Sequence, residues 1–267
     1  MIDVQVLGPL VVRVGGNAVK LGPVLRVLFL GLLCEQGNLV PADQLAAWLS
    51  ETGTPQGQSS TLRSHVSHLR RRLADARGPH DVIPSPVLLT SNLGGTTAYA
   101  LQVDRGRIDA TRFEEEVAAG LRELHSGRLR EAQQLLQAAM RRWQGQPLAD
   151  AGGRLFAKAH VKRLEGVRRA ALIAHAEAGI QLGLHAAVID SLEEMASLWP
   201  DDLSVRKLHI ISLYRSGRIA EASRACKSAL VAADEHGLGR RELEALQLEV
   251  LNGRLPVAGR PLLLAAP

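Results

Sequence analysis

The composition of this chain changes near Asp109, and that change constrains the fold more than any single motif does. Before it, short stretches alternating at period two mix with stretches at helical spacing, with turn formers between them; after it, the sequence is rich in Ala, Leu, Glu and Arg and holds no convincing strand. Period two belongs to half-buried strands and a period of about 3.6 to helices. The pattern therefore predicts an α+β domain over residues 1–104 and an all-α domain over 105–267, each long enough to bury its own core. Aromatic residues are only 3% of the chain against 46% hydrophobic, so Leu, Val and Ala must fill both cores.

Within the first region, Ile2, Val4, Val6 and then Leu10, Val12, Val14 alternate, with Gly8-Pro9 and Gly15-Gly16-Asn17 as turns, which predicts short antiparallel strands. From Pro23 the spacing of Val24, Val27, Leu28 and Leu32 becomes helical, and Gly37-Asn38 ends it. Asp43 is placed to cap a second short helix containing Leu45, Ala46 and Leu49; after a loop with Pro55, Ser59, Ser60 or Thr61 is placed to cap a third helix running to about Asp75. Gly78, Pro79, Pro84 and Pro86 break the chain before two strands, 87–90 and 99–103, which read as a hairpin around residues 92–97. Strands, three helices and a terminal hairpin is the order of a winged helix-turn-helix. An unrelated α+β domain fits the same pattern.

In the second region Gly183 and Gly217 lie 34 residues apart, the period of tetratricopeptide helical hairpins. Ala222 and Ala229 follow Gly217 at the offsets at which Ala132 and Ala139 follow Gly127, and Pro200 falls where a second helix would end. Gly127 is out of phase with the other two, which implies an extra helix near residues 154–175. Trp143, Phe156 and Trp199 read as core of this repeat domain rather than as a ligand cage.

The chain carries a formal charge of +5, and its distribution is more telling: residues 58–77 hold five arginines against Asp75 alone, a local +4. Leu62, Val66, Leu69 and Leu73 recur at steps of four, three and four, one apolar stripe facing the core. Helical geometry then turns Ser64, Ser67, His68 and Arg71 outward as a crest able to read base edges in a major groove, with Arg63, Arg70 and Arg72 on its flanks for phosphates. Thr61 and Arg77 extend the phosphate-contacting set, and Thr96, Thr97 and Tyr99 are the candidate wing contacts. A merely solvated basic face is the competing reading, and the winged-helix order around it decides for DNA.

Other chemistries find little footing. Neither a G-x-x-x-x-G-K-[ST] loop nor G-x-G-x-x-G occurs, and no cofactor or enzymatic activity is expected. His65 and His68 share a helical face with only Asp75 near, a poor metal set, so no metal is expected. Cys34 and Cys226, the only cysteines, read as two plain buried thiols. The longest apolar run, residues 27–34, is far short of the roughly 20 a membrane span needs. Residues 1–3 do not open a signal peptide, and a cytoplasmic protein is expected.

Val6-Leu7-Gly8-Pro9-Leu10, the helix 61–73, Asp109-Ala110-Thr111-Arg112-Phe113-Glu114, Trp143-Gln144-Gly145-Gln146-Pro147-Leu148-Ala149-Asp150 and the stretch 213–222 together resemble the Streptomyces antibiotic regulatory protein family of transcription activators. The resemblance covers nearly the whole chain and implies an OmpR-like winged helix followed by a bacterial transcriptional activator domain. It further implies binding to direct repeats in promoter DNA as a homodimer, recruitment of RNA polymerase holoenzyme through its sigma factor, and control of secondary-metabolite genes. It makes Glu51 and Gln56, between the second and third helices, the candidate polymerase contacts. The chain departs from the family pattern at His68, at Ala100 and in a hairpin tip that reads as long. A helical-repeat adaptor whose first domain binds protein is the alternative function, and measured DNA affinity separates the two.

Overall fold

The computed structural model describes residues 1–50, 58–77, 87–237 and 239–255. It divides into two compact units, Met1–Glu115 with Ala139–Arg168, and Glu116–Ala138 with Arg169–Pro267.

The first unit opens with an antiparallel sheet of β1 (Ile2–Gln5), β2 (Val11–Val14) and β3 (Asn17–Ala18), in which Ile2 faces Val14 and Val4 faces Val12. The alternation buries Ile2, Val4, Val6, Leu10, Val12 and Val14 on one side. Pro23 starts α1 (Pro23–Cys34), the short β4 (Val40–Pro41) follows, and α2 (Ala42–Leu49) and α3 (Gln58–Asp75) complete the helix-turn-helix. The wing is β5 (Leu88–Leu93) and β6 (Thr96–Leu101), and β4 pairs with β6 to give the sheet order β4-β6-β5. This is the predicted winged helix.

Three local expectations change. Residues 27 to 33 of α1 are buried all round, because the helix is packed by α2 and α3 and by the Ala149–Ala151 turn, so no single stripe exists and Val24 is left 42% exposed. Asp43 does not cap α2: Pro41 is the cap residue, and the Asp43 carboxylate accepts from the Gln44 N–H at 2.9 Å inside the first turn. The hairpin tip is short rather than long. Gly94 and Gly95 take φ of +57° and +86°, the two positive values that a tight two-residue turn demands, so pairing continues to Leu93 and Thr96.

Residues of the second predicted domain complete the first unit. The Asp109 carboxylate, at the start of α4 (Asp109–His125), accepts the Val6 N–H at 2.8 Å and the Leu7 N–H at 3.2 Å. The segment before Asp150 runs back along the same strand end: Gln144 N donates to Leu7 O at 2.7 Å and Leu148 N to Val6 O at 2.8 Å. Gly8 permits this approach, since a Cβ there would lie 3.2 Å from the Gln144 backbone. Asp150 accepts the Leu10 N–H at 2.6 Å and pairs with Arg26 at 2.6 Å, while Arg154 Nε donates to the Trp48 carbonyl at 2.9 Å. Phe156 lies on Trp48, ring centroids 4.9 Å apart, so it belongs to this core and not to the repeats. Trp143 lies 5.5 Å from Phe113 and under the Arg168 guanidinium at 4.8 Å.

Beyond the wing the helices form hairpins. α4 is followed by α5 (Leu129–Met140), α6 (Leu155–Gln181) by α7 (His185–Leu198), and α8 (Leu203–Arg215) by α9 (Ile219–His236), with α10 (Arg240–Leu251) after them. Gly127, Gly183 and Gly217 end the first helix of each pair with φ of +74°, +82° and +78°. In each turn the following residue donates back to the carbonyl five positions before it, as Arg128 does to Glu123, Leu184 to Gly179 and Arg218 to Leu213. Gly253 repeats the device after α10, with Arg254 donating to Glu249. Ala132, Ala222 and Ala229 are buried where helices meet closely. No separate extra helix intervenes: α6 is one helix of 27 residues, and its length absorbs the phase difference.

Burial holds His175, His185 and His209 below the ordinary imidazole value of 6.5, so each is favoured neutral when folded. Below that value the unfolded chain takes up protons that the folded one refuses, so stability present at neutral pH is lost as pH falls. Urea melts of the full chain should therefore show a falling midpoint from pH 7.5 to 5.5, and His175→Gln should flatten the fall; an unchanged midpoint over that range would refute the assignment. Asp109 has the opposite sign, because burial outweighs its amide bonds and raises its pKa. Its contribution comes at more acid pH.

Candidate nucleic-acid interface

The anchoring of α3 sets what it presents. Leu62, Val66, Leu69 and Leu73 are each no more than 3% exposed, sunk into the core of the first unit. A helix fixed along one stripe has no freedom to rotate, so its opposite face is defined. Ser64, Ser67, His68 and Arg71 are all exposed on that face, and Thr61, Arg63 and Arg72 are exposed beside them. No ion pair or hydrogen bond among the described residues holds Arg63, Arg71 or Arg72. Three guanidinium groups therefore stand uncompensated on one helix, an arrangement that attracts polyanions.

Two side-chain contacts tie the helix to the two sheets. Asn17 Nδ2, at the end of the first sheet, donates to the Ala76 carbonyl at 3.1 Å, just past the last turn of α3. Arg70 reaches the wing: its Nη2 donates to the Leu88 carbonyl at 2.9 Å and to Thr90 Oγ1 at 2.5 Å, and its Nε to Leu88 at 3.2 Å. Arg70 was placed by sequence among the phosphate contacts, and its guanidinium is instead occupied by β5. Arg77 is half-buried with its Nε withdrawn from solvent, so it does not stand out beside the crest.

In the wing, Thr96 is exposed and Thr97 half-buried, near the tip. Tyr99 is a correction: it is 3% exposed and packs in the core, because β6 is the central strand and Tyr99 faces Val40 of β4 across the ladder. Glu51 and Gln56 lie outside the described residues. His65 is half-buried, and among the described residues no group of three His, Cys, Asp or Glu is placed to hold a metal. Burial pushes the Cys34 thiol up to about 12 and that of Cys226 to about 11, which keeps both protonated at neutral pH. No helix among the described residues is long and apolar enough to cross a membrane.

The helix stripe was legible from spacing alone, whereas the braces were not. Nothing in the local pattern distinguishes Arg70 from Arg71 and Arg72; only the position of β5 does. β4, two residues long, gives no periodic signal at all.

Residues 108–251 match the family model described as the bacterial transcriptional activator domain. The chain is 30% identical over 223 residues to the regulatory protein DnrI of Streptomyces peucetius, an alignment covering 82% of this chain and 80% of that protein. It is 29% identical to the regulatory protein AfsR of Streptomyces coelicolor over 92% of this chain but only 24% of that protein. Among solved structures, Mycobacterium tuberculosis EmbR in complex with a low affinity phosphopeptide superposes with a TM-score of 0.82 at 29% identity, covering 96% of this chain and 66% of that one.

Proposed function

From the premise that this chain belongs to the Streptomyces antibiotic regulatory protein family of transcriptional regulators, we propose that it binds direct repeats in promoter DNA with α3 in the major groove. The observation that carries this reading is the exposed crest of Ser64, Ser67, His68 and Arg71 beside the unpaired Arg63 and Arg72, on a helix braced at both sheets. Short polar residues and one arginine at a crest suit base edges, and flanking arginines suit phosphates. Two copies on adjacent repeats double a contact area that is small for one winged helix. Bound there, the protein recruits RNA polymerase holoenzyme through sigma, with Glu51 and Gln56 the candidate contacts, and activates secondary-metabolite genes. It does so as a cytoplasmic protein, without catalysis, metal or cofactor.

Salt dependence tests the phosphate part directly. With three to five phosphate contacts per copy, log affinity should fall against log salt with a slope of about −3 to −5 per bound copy, because each contact releases condensed counterions. A mobility-shift titration at two salt concentrations measures it. Affinity indifferent to salt would leave no role for these arginines on DNA.

A further inference from the structure

A second surface, in the repeat unit, is built at helical spacing on three helices at once. Ile189, Glu193 and Ala196 on α7, Arg206, His209 and Leu213 on α8, Glu221, Arg224 and Ser228 on α9 and Arg218 just before α9 recur every three or four residues and line a common cavity of about 370 Å³. That is within the range of sites that hold a ligand. Its floor is apolar, with Ile189 and Leu213 at 2% and 3% exposure. Its walls are charged and incompletely paired. Arg218 and Glu221 satisfy each other in a two-pronged pair at 2.7 and 2.5 Å. Arg206 gives its Nε to the Pro200 carbonyl at 2.9 Å, and Arg224, which acts electrostatically on Glu221, makes no hydrogen bond or ion pair among the described residues. The lining holds three arginines, Arg206, Arg218 and Arg224, against two carboxylates, Glu193 and Glu221, and Glu235 acts on Arg206 from outside it.

We propose that this groove binds an acidic, leucine-bearing peptide segment of a partner protein, with its carboxylates on Arg206 and Arg224 and an apolar side chain on Ile189 and Leu213. Exposed Glu193, Arg224 and Ser228 at the rim leave the groove open to solvent, which suits a chain passing through rather than an enclosed small molecule. Excess guanidinium favours carboxylates, in the planar geometry arginine recognises best. His209 gives binding a pH signature. Burial chiefly holds its imidazole below the usual value; Arg218 and Arg206 push the same way, and Glu193 on α7 and Glu221 on α9 pull against them. A carboxylate entering beside it favours the protonated ring, so binding takes up a proton and tightens as pH falls.

The experiment uses the full chain and a fluorescent synthetic peptide alternating aspartate and leucine, with a matched asparagine peptide as neutral control, followed by anisotropy. The aspartate peptide should bind at least tenfold more tightly than the control. Its affinity should rise severalfold between pH 7.5 and 6, and that rise should vanish in His209→Gln. Arg224→Glu, at an exposed position that should leave the melting temperature unchanged, should weaken the peptide tenfold or more while promoter DNA affinity stays the same. Equal affinity for both peptides, binding of neither, or an Arg224→Glu variant that keeps its peptide affinity overturns the proposal. If Arg224→Glu costs DNA affinity instead, the groove belongs to phosphates and the peptide assignment is wrong.

Discussion

A fragment ending at residue 104 should fail to melt cooperatively, or melt far below the full chain, although it contains every strand and helix of the winged helix. The cut removes Leu148, Ala151 and Ala157, which are 5%, 0% and 2% exposed in the same core as Phe29 and Leu69, along with Phe156 stacked on Trp48. At about 1.5–3 kcal/mol for a buried leucine or phenylalanine and about 0.8 per methyl-sized group, the lost burial comes to about 5 kcal/mol. A domain has only about 5–15 kcal/mol to lose. In the intact chain, Asp109→Ala isolates one part of this: it leaves the buried Val6 and Leu7 amides without acceptors and should cost about 2–3 kcal/mol in urea melts. Asp109→Asn, which keeps one acceptor oxygen, should cost less. Full-length stability in the 1–104 fragment would show that the segment 139–168 merely lies against a self-sufficient domain. The measurement bears on DNA binding too, since weak binding by such a fragment would report unfolding before it reported a lost dimer contact.

Arg71→Ala and Arg70→Ala should part company on DNA. Arg71 stands free at the crest, so its loss should remove about 1–3 kcal/mol of discrimination between the preferred repeat and scrambled DNA, leaving the salt slope nearly intact. Arg70 holds Leu88 and Thr90, so its loss should loosen the wing, weaken all sequences alike and leave the preference unchanged. Arg72→Ala supplies the third pattern, a salt slope flatter by about one unit. Competition shifts with specific and scrambled duplexes at two salt concentrations resolve the three. Uniform loss of affinity in Arg71→Ala would remove it from base reading.

Periodicity located the recognition stripe of α3, and a 34-residue spacing two glycine turns of the repeats; the stripe was legible because a residue's choice of face is a local property: Leu62, Val66, Leu69 and Leu73 must share a side whatever they pack against. The resemblance marked residues 6–10 and 143–150 as distinctive without saying that they touch. Local pattern could not reveal this, since the bonds joining them link residues as far apart as Leu10 and Asp150, separated by 140 positions. The same limit explains Tyr99, Val24 and Arg70. Whether a strand is central or at an edge, whether a helix is covered on one side or all round, and whether an arginine meets solvent or a neighbouring strand depend on which elements assemble around it. Sequence settled the apolar stripe of α3 and which residues crown it; the tertiary structure alone decided which apolar faces meet, because many pairings of distant segments satisfy the same periodicity and only mutual packing and hydrogen bonding select one.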